Sequence, residues 1–124
     1  MQFGIQMVFQ NFDRANSGVT DGQVYDEEIR LGLLAEELGF DALWPVEHHF
    51  EDYSFCPDNT QFLSHMAART KRIKLGTGAV ILPCNVPVRI ADKVVLLDHL
   101  SQGRTPVPYT HLPLPTIRAV STSI

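Results

Sequence analysis

Hydrophobic positions recur along this chain in two rhythms, and their alternation predicts the architecture. Phe3, Ile5, Met7 and Phe9 alternate with Gln2, Gly4, Gln6 and Val8, the period-two pattern of a strand with one strongly apolar face. A polar stretch follows over residues 10–22. The rhythm then changes: Tyr25, Ile29, Leu33, Leu34 and Leu38 fall at helical spacing. Thr20 or Asp21 is placed to cap that helix, with Gln23 three residues after Thr20 as its capping-box partner. Asp26, Glu27 and Glu28 sit where the helix dipole favours anions, and Gly39 is placed to end the helix. Residues 41–46 read as a second strand, closed by Pro45, which has no N–H to give a ladder. Asp58 or Asn59 opens a second helix with Phe62, Leu63, Met66 and Ala67 as its buried stripe. Residues 73–82 read as a third strand, broken by Pro83. A third helix opens at Pro87, turns Ile90, Ala91, Val94, Val95 and Leu97 inward, and ends at Gly103.

The order is β-α-β-α-β-α at roughly 35 residues per unit, which implies parallel strands and right-handed crossovers. Two closures satisfy it, a doubly wound sheet or a (β/α)₈ barrel. A barrel takes ~250 residues, so on that reading residues 1–104 are its first three units, with Phe3, Ile5, Trp44 and Val46 on its inner wall. An edge left unpaired beside the third strand would be an aggregation template. The chain alone is therefore expected to be inactive and poorly soluble.

Residues 105–124 break the pattern. Pro106, Pro108, Pro113 and Pro115 crowd a stretch where a fourth strand is due. A natural disordered tail, a Pro-rich linker or foreign sequence would each explain this. The abrupt change at Arg104 favours foreign sequence, and residues 105–124 are set apart as a non-globular tail.

Composition narrows the partners. A net charge of −4 argues against nucleic acid. Twelve of the 14 acidic residues fall in residues 1–60, which gives the helices different surface character. Two cysteines, Cys56 and Cys84, make no disulfide framework and suit a reducing cytoplasm. No apolar run approaches a membrane span, and the N-terminus lacks the features of a signal peptide.

The chemistry gathers where the second and third strands end. Glu47, His48 and His49 follow the second strand directly, and loops after strand C-termini are where α/β folds place ligands. Side chains alternate along extended chain, so His48 should share the face of Ala42, Trp44 and Val46, and His49 that of Leu43 and Glu47. That argues against one metal held by both histidines. One imidazole is then free for acid/base work, near its reference pKa of ~6.5, or both are merely satisfied polar residues at a loop start. Gly76, Thr77, Gly78 and Ala79 either let a ligand approach the backbone or mark close packing. Their spacing lacks the third glycine of a dinucleotide fingerprint. His65, Asp98 and His99 read as structural.

Four blocks resemble one family: Gly39-Phe40-Asp41-Ala42-Leu43-Trp44 running into Glu47-His48-His49-Phe50; Gly76-Thr77-Gly78-Ala79-Val80-Ile81-Leu82-Pro83; Pro87-Val88-Arg89; and Leu97-Asp98-His99-Leu100-Ser101-Gln102-Gly103-Arg104. Together they resemble the N-terminal part of the bacterial luciferase-like, flavin-dependent monooxygenases. The resemblance implies a (β/α)₈ TIM-type barrel, reduced FMN as cofactor, and oxygen with a small organic substrate such as an aldehyde. It implies a flavin reductase as partner and leaves room for a dimer. It marks His48 as the catalytic position and Glu47, Gly78 and Ala79 as cofactor-binding, with a cis peptide between Gly78 and Ala79. A deazaflavin-dependent oxidoreductase of the same architecture and a non-catalytic flavin-binding protein are the competing readings.

Overall fold

In a computed structural model, which describes residues 1–12, 18–50 and 53–106, the alternation resolves into three β/α units. The strands β1 (Gly4–Met7), β2 (Ala42–Pro45) and β3 (Lys74–Leu75) form a parallel sheet in the order β1-β2-β3. They are followed respectively by α1 (Asp21–Glu37), α2 (Asn59–Arg69) and α3 (Pro87–Leu100). Residues 107–124, which hold most of the expected tail, lie outside the described residues.

Register decides which side chains share a face. Ile5 pairs with Leu43 and Leu43 with Leu75, while Gly4 pairs with Ala42, Ala42 with Lys74 and Gln6 with Trp44. The odd set, with Met7, faces the helices, and Met7, Leu43 and Leu75 are buried there almost completely. The even set faces the other way. This corrects the expectation of a single inner wall. Ile5 packs against the core under the helices, whereas Trp44 stands on the opposite face, and Phe3 is 58% exposed. Strand periodicity shows which residues share a side but not which side the helices cover.

The third strand is shorter than its apolar run. Only Lys74 and Leu75 carry regular ladder pairing, although the N–H groups of Gly76 and Gly78 still reach Leu43 O at 3.0 Å and Pro45 O at 2.9 Å. On the other side of β3, Leu75 N–H donates to Arg104 O at 2.9 Å, and no strand pairs with it among the described residues. A 3₁₀ turn at Leu82–Cys84 then ends the extended stretch.

Local signals account for the helix ends. Thr20 Oγ1 accepts from Gln23 N–H at 3.3 Å and Gln23 Oε1 accepts from Thr20 N–H at 2.8 Å, the reciprocal capping box. Past α1, Gly39 adopts φ +88°, which an L side chain would resist. Asp58 caps α2 through Gln61 N–H at 3.0 Å. The carbonyls at the end of α2 lack intrahelical donors, and Arg104 supplies them, reaching Ala67 O at 3.0 Å and Thr70 O at 3.2 Å. The Glu36 carboxylate on α1 accepts the N–H groups of Lys71, Arg72 and Ile73 at 2.6–2.9 Å. Burial opposes its charge, but these three backbone donors more than compensate and hold it below the usual carboxylate range.

The core lies between sheet and helices. Phe62, Leu63, Met66 and Ala67 of α2 are buried as their spacing predicts. The stripe of α1 is narrower than expected. Tyr25, Ile29 and Leu33 pack inward, but Leu38 is 67% exposed, because the helix has ended by then and the chain turns away. Gly32 lets α1 approach closely, since a Cβ there would stand 2.8 Å from the Met66 methyl group. On α3 only Leu97 is buried, Ile90 and Val94 are half-buried, and Ala91 and Val95 are exposed, against expectation. That helix packs chiefly on α2. Among the described residues no helix is long and apolar enough to cross a membrane.

Candidate active site

The ends of β2 and β3 are stitched together by hydrogen bonds over a few residues. Pro45 O accepts Gly78 N–H at 2.9 Å and Asn59 Nδ2 at 3.2 Å. The same Asn59 amide donates to Ala79 O at 2.8 Å. Asn59 is fully buried in the first turn of α2, so one side chain links that helix to both strand ends. Sequence reading recognised it only as a cap candidate.

Glu47 is buried and both of its carboxylate oxygens have partners. Oε2 accepts Ile81 N–H at 2.9 Å, and Oε1 accepts Asn85 Nδ2 at 2.8 Å and meets His49 Nε2 at 2.8 Å. His48 has different partners. Its backbone N–H donates to Cys56 O at 2.9 Å, and its ring stands edge-on to Tyr53 with centroids 5.4 Å apart. The two neighbouring imidazoles therefore occupy different environments, and no cluster of metal-ligating side chains is present among the described residues. The loop that carries Cys56 is anchored by rings. Tyr25 packs against Phe9 and Phe55, and its hydroxyl donates to Phe55 O at 2.8 Å.

In the glycine-rich run the structure shows close packing, at Gly76 and also at Gly78, where a Cβ would stand 3.0 Å from Trp44 O. Gly76 is a close-packing residue: a Cβ there, or on Gly4, would overlap the Trp44 indole, which lies across both. Gly78 and Ala79 are exposed, so the strand end presents backbone and one methyl group. The peptide bonds of the described residues are trans, that between Gly78 and Ala79 included. Between Gly76 and Gly78, Thr77 Oγ1 is buried and has no hydrogen-bond partner among the described residues. Two sets of bonds thus join the strand ends: Asn59 and Pro45 hold Gly78 and Ala79, while Ile81, Asn85 and His49 hold Glu47, with His48 adjacent in the chain.

Other concavities lie apart from these residues. A cleft of about 320 Å³ between α1 and α2 includes Tyr25, Cys56 and Phe62. Burial pushes both the Tyr25 hydroxyl and the Cys56 thiol up to about 12. Neither of these two groups is a ready nucleophile at neutral pH. A second hollow of about 300 Å³ lies on the open face of the sheet beside Trp44, Phe3 and Pro106.

Comparison with known proteins agrees with this geometry. Residues 1–107 match the family described as luciferase-like monooxygenase. The oxygenase component of flavin-dependent trigonelline monooxygenase from Acinetobacter baylyi is 33% identical over 97 residues, which cover 78% of this chain and 27% of that protein. The alkanal monooxygenase alpha chain of Photobacterium leiognathi is 37% identical over 87 residues, covering 70% of this chain and 25% of that one. The crystal structure of the monooxygenase RslO1 from Streptomyces bottropensis superposes with a TM-score of 0.77 at 40% identity, over 86% of this chain and 32% of its own. The chain spans about a quarter of the length of these curated relatives. With three parallel β/α units, a polar cluster at the strand ends and this match over most of its residues, the chain belongs to the luciferase-like monooxygenase family.

Proposed function

We propose that these residues form one wall of the flavin site in a monooxygenase that uses reduced FMN and oxygen on a small organic substrate. The observation that carries this reading is the bare Gly78–Ala79 backbone, exposed at the end of β3 and tied through Asn59 to the end of β2, where Glu47 and His48 begin. Barrel enzymes place their chemistry at that end of the strands. The residues fit a planar cofactor. Neither Gly78 nor Ala79 projects a bulky side chain that would hold a flat ring away, and the Thr77 hydroxyl beside them is a polar atom without a partner among the described residues.

The bound flavin would supply the electrons for oxygen chemistry. The chain's own contribution is positional and protic. Gly78 and Ala79 offer the flat surface, and the donors on Glu47 hold the two strand ends in place. His48 is the acid/base group of this reading, as the neighbouring histidine whose ring is not bonded to Glu47. A separate reductase is the expected source of reduced flavin, since one relative is itself named an oxygenase component. The relatives' names span an alkanal and trigonelline, which supports a small organic substrate, with an aldehyde as one candidate. Neither name favours a deazaflavin.

The test is titration of a complete barrel that carries these residues with reduced FMN, followed by oxygen uptake on adding a straight-chain aldehyde. Flavin binding with substrate-dependent oxygen incorporation is expected. His48→Ala should leave binding in place and lower turnover by ~10²–10⁴. A folded protein that binds no flavin would overturn the reading, and an unchanged rate in His48→Ala would remove His48 from the chemistry.

A further inference from the structure

We propose that Asn85 and Glu47 are positioning residues that fix His49 as its Nε2–H tautomer and lock the segment after β3 to the end of β2. The argument starts from the carboxylate. Only 3% of the Glu47 side chain is exposed, and a charge buried to that degree must be hydrogen-bonded. It has three partners, at Ile81 N, Asn85 Nδ2 and His49 Nε2, all within 2.8–2.9 Å. An ionised carboxylate can only accept. Each partner must therefore donate, and His49 must carry its proton on Nε2. In the neutral ring this leaves Nδ1 as the lone-pair nitrogen.

Asn85 makes the arrangement directional. Its amide nitrogen also donates to Ile81 O at 3.0 Å, so it is oriented by its own loop before it meets Glu47. Two donors to Glu47 come from the segment after β3, and the third from the chain leaving β2. The cluster is thus a bridge between those segments. Its consequence is a division of labour between neighbours. The Nε2 proton of His49 is committed to Glu47, while His48 has a ring contact with Tyr53 and stays available for proton transfer. The catalytic meaning of that division rests on the oxygenase reading above; the clamp stands without it.

Two measurements test the clamp. The first is side-chain ¹⁵N NMR of His49 at alkaline pH, where the ring is neutral. A single Nε2–H tautomer is expected in the protein, turning into a mixture in Glu47→Ala. A ring protonated on Nδ1, or a tautomer unchanged by Glu47→Ala, would overturn the proposal. The second leaves Glu47 and Asn85 in place. His49→Ala should lower kcat by ~10², the scale of a catalytic group displaced by about 1 Å, with little change in KM for reduced FMN. His49→Gln, whose amide nitrogen donates from a similar position, should recover most of that loss. Equal losses in the two His49 variants would overturn the positioning role. The tautomer needs no flavin to be read, so the clamp and the oxygenase reading can fail independently.

Discussion

The two faces of the sheet differ far more than their sequences suggest. On the helix side, Met7, Leu43 and Leu75 are at most 1% exposed and pack with Leu63 and Met66. On the other side, Gly4, Gln6 and Lys74 are exposed and Trp44 is half-buried. The first face is a finished core. The second is a shallow surface on which one indole lies across two glycines. Stability should therefore come from one side and adaptability from the other. The site residues extend from the strand ends where the two faces meet solvent.

The sharpest way to break this comparison is to remove volume from each side. Leu43→Ala should cost ~2–5 kcal/mol, the range for buried leucines, because α1 and α2 cannot both close on the gap. Gln6→Ala on the open face should stay within about 0.5 kcal/mol, as for surface changes. Urea unfolding of the two variants measures both. Equal costs would show that the open face is buried in solution.

Adding volume probes the open face itself. Gly76→Ala puts a methyl group into the Trp44 ring and should cost ~1–3 kcal/mol, the usual penalty for overpacking. In a Trp44→Ala background the same change should be nearly neutral. The double-mutant cycle therefore isolates the contact, and additive costs would mean that Trp44 does not lie where the structure puts it. Trp44 is also the chain's single tryptophan, so its fluorescence reports that face directly.

These contacts also mark how far the sequence could be read. Local devices were legible: Thr20 and Gln23 are three residues apart, and the α2 stripe repeats at helical spacing, so both write themselves into adjacent positions. The order of elements followed from the same rhythms. The length of β3 did not, because ladder pairing depends on neighbouring strands and not on the apolar run of residues 73–82. Neither did the exposure of Ala91 and Val95, since an apolar stripe does not name the surface that covers it. In the candidate site, Glu47, His48, Gly78 and Ala79 were marked by residue type and by the family resemblance. Asn85 was not marked, because it meets Glu47 from 38 positions away and a lone asparagine between Pro83 and Pro87 looks like any loop residue.

A smaller effect tests the covering layer. Thr20→Ala removes the hydroxyl that caps α1 and should cost ~1 kcal/mol. Because α1 covers only the finished face, the Trp44 emission maximum should not move while the urea midpoint falls. A spectral shift would mean that loosening the helix layer reaches the open face and that the two sides are coupled.

The smallest expected effect concerns the bond between α2 and α3. Lys93 Nζ lies 2.6 Å from Asp58 Oδ2. Burial alone would raise the Asp58 carboxyl, but Lys93, the Thr60 hydroxyl and Gln61 N–H together hold it below the ordinary value. A carboxyl depressed in the folded state contributes stability above its unfolded pKa of ~3.9 and loses it as pH falls through the folded value. The urea midpoint should therefore drop on acidification through that window, and Lys93→Met should flatten the drop. Both side chains are about one-third exposed, at 37% and 30%, so the contribution is screened by solvent and should shrink with added salt. Because this pair lies within the helix layer, its loss should leave Trp44 emission unchanged. An acid limb identical in Lys93→Met would mean that α3 is held to α2 by apolar contact alone.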